Sequence, residues 1–119
     1  MHGPLATYEY ASLSADGSTL GAFTAGPSPF PTARELAASA VATPQSAPSV
    51  SSAVYVYVTG GFGTGGSLRT TESARVSSGG ALMSPADTTS YAMRRGALSS
   101  MIVNGEFYAM GGTSGMNPA

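Results

Sequence analysis

Residues 60–66, GGFGTGG, are the one stretch whose spacing could cradle a phosphate, because glycine-rich loops bring backbone N–H groups close to anionic oxygens. Such a loop needs a Gly-Lys-Ser/Thr triplet behind it, or a G-x-G-x-x-G run entering a helix. No such triplet follows, and the G-x-G-x-x-G spacing of residues 61–66 has no helix pattern behind it. The glycines therefore read as a structural turn, where positive φ is free of strain and neighbouring backbones can approach. His2 is the sole histidine, and a metal ion would need further ligands around it. The six carboxylates (Glu9, Asp16, Glu35, Glu72, Asp87 and Glu106) show no ligand spacing, and nothing in their placement points to a general acid–base pair. No serine stands in G-x-S-x-G. The expectation is a chain with no catalytic, cofactor-binding or metal residues.

Composition narrows the classes further. Ala, Gly, Ser and Thr make up more than half of the 119 residues, and only 9% are charged. All five cations are arginine (34, 69, 75, 94 and 95) and the formal net charge is −1. No basic field exists to hold a nucleic-acid backbone or an anionic membrane, so neither partner is expected. The absence of cysteine excludes disulfides, cysteine-based zinc sites and thiol catalysis, and leaves the redox compartment open. No basic-then-apolar leader and no run of 18 apolar residues is visible, so neither a secretory signal nor a membrane span is expected.

The elements that would position any site are short strands. Residues 54–59, VYVYVT, place β-branched and aromatic side chains on both faces, which predicts a strand buried on both sides and ended by the glycines. Residues 7–13 and 19–25 predict a hairpin around Asp16-Gly17, and Pro27, Pro29 and Pro31 make 26–33 an irregular connector. Residues 34–42, RELAASAVA, suit a helix on propensity and equally a strand in a crowded centre. Residues 43–52 read as an exposed loop, 67–77 as a strand, 78–80 as a turn, 81–83 as a weak strand and 84–90 as loop. Residues 95–103 repeat the small apolar character of 34–42. Asn104-Gly105 is a two-residue hairpin signal leading into a strand over 107–110.

Two halves of the chain agree in order and type. Leu5 with Glu9 matches Leu68 with Glu72, and Leu20 matches Leu82. Residues 30–34 match 91–95, each ending in arginine before a small-residue strand. Tyr57 and Gly60-Gly61 match Tyr108 and Gly111-Gly112. The Gly-Gly pairs lie 51 positions apart and the arginines 61, and the ten-residue difference is accounted for by the loop 43–53, an insertion in the first copy. This correspondence decides for strand over 34–42. A period near fifty with four short strands per unit indicates radial β-repetition.

The ordered set resembles kelch repeats. It comprises the arginine (Arg34, Arg95), the aromatic near the end of the next strand (Tyr57, Tyr108), the Gly-Gly doublet (60–61, 111–112) and a glutamate in the third strand (Glu72). Phe23 stands where that family usually carries tryptophan, and the second copy has no aromatic there. The resemblance implies an all-β fold of four-stranded antiparallel blades in a partial β-propeller. Residues 5–25 would be half a blade, 34–83 a full blade carrying the insertion, and 95–112 another half. Propellers close with about four to eight blades, so completion would need further blades from a longer chain or copies of this one.

Three functions follow as expectations. The first is a non-catalytic binding or scaffold module, recognising protein or glycan through its loops, because a rigid scaffold presents variable segments there. Its candidate loops are 43–53, 62–67 and 113–117, and its candidate contact residues are Gln45, Ser46, Ser49, Phe62 and Thr64. The second is a fragment of a kelch-propeller oxidase or sugar-acting enzyme whose catalytic residues lie outside this chain. The third is an open sheet that self-associates through VYVYV, an uncharged β-prone run. Repeated charges such as Arg34, Glu72 and Arg95 are expected to tie one unit to the next rather than to react.

Overall fold

The computed structural model describes residues 3–43 and 53–115, and every regular element among them is a β-strand in an antiparallel sheet. The chain is all-β. Its strands are β1 (Glu9–Tyr10), β2 (Thr24–Ala25), β3 (Ala38–Ala42), β4 (Tyr55–Thr59), β5 (Phe62–Gly63), β6 (Gly66–Ser67), β7 (Thr71–Val76), β8 (Leu82–Asp87), β9 (Ser99–Val103) and β10 (Glu106–Met110). The largest sheet has the order β3-β4-β7-β8, and the pairs β1-β2, β5-β6 and β9-β10 form two-stranded sheets.

Register explains the composition of β3. Ala42 lies opposite Tyr55, Ala40 opposite Tyr57 and Ser39 opposite Val58, so small side chains stand beside the bulky ones of β4. Residues 34–42 thus contain a strand rather than a helix. β4 is less enclosed than its sequence predicts: only Thr59 is buried, and Tyr55 to Val58 are half-buried. One face of β4 meets the β9-β10 hairpin loosely, where the Tyr57 and Phe107 rings pack edge to face at 5.4 Å. Asn104 and Gly105 both take positive φ (48° and 81°), as a type I′ hairpin turn requires.

Two expectations are corrected. Residues 84–87 were expected in a loop, yet β8 runs through Pro85 to Asp87. β8 is the outermost strand, and the register shifts between Ser73 and Arg75 where Ser84 has φ of 49°. That bulge puts the proline where the ladder needs no donor. The predicted 7–13 and 19–25 strands are regular only at β1 and β2, with one further bridge between Leu13 and Leu20.

The turn of that hairpin is organised by a carboxylate. Asp16 Oδ1 accepts from the Ser18 amide (3.0 Å), the Ser18 hydroxyl (2.7 Å) and the Ser14 hydroxyl (2.7 Å). The Ser18 amide, then the two hydroxyls, hold the Asp16 pKa down from the ordinary 3.8 to about 2. A depressed carboxylate stabilises the fold above its unfolded value and ceases to do so as pH falls through the folded one. The turn is therefore expected to be fully formed above about pH 4 and to loosen towards pH 2. Carboxyl chemical shifts should titrate with a midpoint near 2, with protection of the Ser18 amide falling in step. A midpoint at the ordinary value would show that these bonds do not form in solution.

Hydrophobic burial is sparse. Phe62 and Ala74 are the fully buried apolar residues among those described, and Arg34, Thr59, Ser67, Thr71 and Glu72 are buried beside them. The centre of the chain is therefore largely polar.

Candidate functional site

The polar centre is built where β4 ends and β7 begins. Residues 60 and 61 must turn the chain sharply, and Gly61 has φ of 88° while a Cβ there would stand 2.6 Å from the Glu35 carbonyl oxygen. Only glycine fits that approach. Arg34, entering from the segment before β3, reaches the space so formed. Its Nη1 donates to the Gly60 carbonyl (2.7 Å) and the Thr70 carbonyl (3.1 Å), and its Nη2 donates to Thr70 Oγ1 (3.0 Å). Arg34 Nη2 also lies 2.9 Å from Glu72 Oε2, with both side chains almost wholly buried. This is an ion pair by distance, and its angle falls short of a hydrogen bond, since neither Glu72 oxygen has a hydrogen-bond partner among the described residues. The Thr59 and Thr71 hydroxyls bond each other at 2.7 Å alongside.

The same bonds recur at the matched positions of the second copy. Arg34 N donates to Leu5 O (3.0 Å), and Arg95 N donates to Leu68 O (2.8 Å). Arg95 Nη1 donates to Gly111 O (3.0 Å), as Arg34 does to Gly60 O. Leu36 and Ala97, each two residues past the arginine, both have positive φ (52° and 54°). Gly112 has φ of 84°, and a Cβ on it would collide with the Gly96 carbonyl as one on Gly61 would with that of Glu35. One difference stands out. Beside Arg95 no third strand is present among the described residues, so nothing occupies the places of Thr70 and Glu72.

The candidate repeat residues Arg34, Gly60, Gly61 and Glu72 thus converge on one junction, with Tyr57 further along β4. Arg95, Gly111 and Gly112 form the second, open junction, with Tyr108 on β10 exposed. Thr70, Thr71 and Thr59 belong to the first junction and were not singled out from sequence. The signal for Thr70 was its place two residues before Glu72, hence on the same strand face. The Tyr91 hydroxyl is also buried there, without a hydrogen-bond partner among the described residues.

Of the candidate loop residues, Thr64 is exposed at the tip of the β5-β6 hairpin. Phe62, expected on the accessible loop, is fully buried instead. Its N and O both bond Glu35 (2.8 and 3.0 Å), which fixes the backbone, and its ring lies on Gly96. Gln45, Ser46 and Ser49 lie outside the described residues, as do 116 and 117 of the last loop.

Two concave regions flank the junctions. A cleft of about 570 Å³ separates β4 and β7 from the β9-β10 hairpin, with Tyr57, Thr71, Arg95, Phe107 and Ala109 on its walls. A second groove, about 310 Å³, runs between residues 31–33 and the β5-β6 hairpin, with Thr64 and Arg94 at its rim. Arg94 Nη1 donates to Ser67 O at 3.2 Å. Among the described residues no group of three His, Cys, Asp or Glu is placed to hold a metal ion, and no helix is long and apolar enough to cross a membrane.

Chemically, the first junction places a buried guanidinium on the Gly60 and Thr70 carbonyls, with the Thr70 hydroxyl and the Glu72 carboxylate beside it, an arrangement that fastens three chain segments together. No protein-family model and no curated protein matches this chain.

Proposed function

We propose that the chain is a non-catalytic binding module of kelch type, whose sheets act as propeller blades presenting loops to a protein or glycan. The observation that carries this reading is the use of the repeated charges. Arg34 and Arg95 both place their guanidinium on the carbonyl of the first glycine of the doublet, so the recurrent polar residues hold the backbone. Of the two concave regions, the groove at the β5-β6 hairpin lies beside the candidate loop 62–67. It offers backbone edges, the Thr64 hydroxyl and the Arg94 guanidinium, a set that suits a hydroxylated or peptide-like ligand rather than an apolar one.

The test uses an array of neutral and acidic oligosaccharides together with displayed peptides. A ligand held by the native chain should lose about tenfold or more in affinity with Arg94→Ala, the loss of one charged hydrogen-bond donor. Thr64→Arg, which fills the groove mouth, should abolish binding with the β circular-dichroism signal unchanged. Arrays that yield no ligand, or binding indifferent to both variants, would overturn the reading.

A further inference from the structure

The open junction at Arg95 has a complement elsewhere in the same chain. Residues 68–73 are Leu-Arg-Thr-Thr-Glu-Ser and residues 5–10 are Leu-Ala-Thr-Tyr-Glu-Tyr, so Leu5, Thr7 and Glu9 repeat Leu68, Thr70 and Glu72. Thr70 and Glu72 are the residues that clasp Arg34. Of their counterparts, Glu9 opens β1 and Thr7 lies two residues before it, and the side of β1 away from β2 pairs with no strand among those described. β10 likewise has β9 on one side and no described strand on the other.

We propose that β1 of a second copy of this chain adds to the free edge of β10, so that Thr7 and Glu9 of that copy close on Arg95. The register is set by the existing sheet, where Tyr57 pairs with Ser73, Val58 with Glu72 and Thr59 with Thr71. Transferred by the repeat, Tyr108 stands opposite Tyr10 of the second copy, Ala109 opposite its Glu9 and Met110 opposite its Tyr8. Paired residues in an antiparallel ladder share a face. Glu9 of the second copy therefore enters the 570 Å³ cleft from the Ala109 wall, where Arg95 also lies.

Backbone donors agree with this placement. Gly60 N donates to Thr70 O (3.0 Å) and Gly61 N to Arg95 O (2.9 Å). Their counterparts, Gly111 N and Gly112 N, donate to no backbone carbonyl among the described residues. In the assembly they meet Thr7 O and Arg34 O of the second copy. Both joining halves also expose apolar side chains: Leu5, Leu13, Leu20 and Phe23 on one, and Met101, Val103, Tyr108 and Met110 on the other. The Cα radius of gyration is 14.9 Å, against about 13.5 Å for a closed domain of this length, as expected of an open arc. Each chain holds one four-stranded sheet and two half-sheets, so closure at about four to eight blades takes two to four copies.

The occupant is a second copy because both halves of the joint, opposite in charge, are carried by this one chain. The proposal is independent of the loop-binding reading, since its test involves no ligand. Light scattering of the 119-residue protein over a wide concentration range should give one discrete multiple of 11.8 kDa. Arg95→Glu alone and Glu9→Arg alone should each reduce it to the single-chain mass, and the two substitutions together should restore the multiple. Hydrogen exchange provides the second reading, with the Gly111 and Gly112 amides more protected in the unaltered protein than in the Arg95→Glu variant. A single-chain mass at every concentration, or equal exchange at those amides in the two proteins, would overturn the proposal. So would polydisperse growth insensitive to Arg95→Glu, which would mean indiscriminate edge pairing.

Discussion

Arg34→Met is expected to destabilise the fold by about 3–5 kcal/mol, because it strands the Glu72 carboxylate in a site closed to solvent. A domain of this size is stable by about 5–15 kcal/mol, so the variant should sit near its unfolding midpoint in mild urea. The loss has two parts. The guanidinium leaves the Gly60 and Thr70 carbonyls and the Thr70 hydroxyl, and Glu72, fully buried, keeps neither oxygen paired. Removing the charge at the other end should recover much of the loss: Arg34→Met with Glu72→Leu leaves apolar groups where the pair stood. Urea unfolding of the single and double variants measures both. The matched residue gives the contrast. Arg95→Met, measured on dissociated chains, removes one bond to the Gly111 carbonyl and should cost about 0.5–1.5 kcal/mol. Equal losses at the two arginines would show that burial with Glu72 is not what sets the size of the effect.

Much of this arrangement was legible in the sequence, and the parts that were not share a cause. The alternation in VYVYV, the Asn104-Gly105 signal and the prolines at 27, 29 and 31 are local features, and local rules place the strands and turns they imply. The doublets and arginines were legible because each occurs twice at a matching place, and matched positions make matching hydrogen bonds. What escaped depends on which residues from distant parts of the chain meet. Pro85 continues a strand only because β8 is the outermost of its sheet. Thr70 is a ligand of Arg34 only because residue 34 returns to that spot from 36 positions away. Phe62, set among five glycines in a stretch that reads as loop, gives no sign that it is the largest fully buried side chain among the described residues.

Phe62→Ala is expected to cost about 3–5 kcal/mol, as for other buried aromatic truncations, although no predicted strand contains the residue. Its ring underlies Gly96. A Cβ added at Gly96 would stand 2.6 Å from Cε1 of that ring and closer still to Cε2 and Cζ. Gly96 itself is immobilised, with its N and O both bonded to Thr113 at 2.8 and 2.9 Å, so the backbone cannot swing away. Gly96→Ala should therefore cost about 1–3 kcal/mol through overpacking. The two changes oppose each other in space, since the methyl group enters volume that the missing ring vacates. Combined, they should be less damaging than their sum by about 0.5–3 kcal/mol, the range for residues in contact. Chemical unfolding of the four species closes the cycle, with Phe62→Leu as the background if Phe62→Ala is too unstable to titrate. Additive losses would mean that Gly96→Ala fails through its backbone bonds to Thr113. In that case the ring is not what demands glycine at position 96.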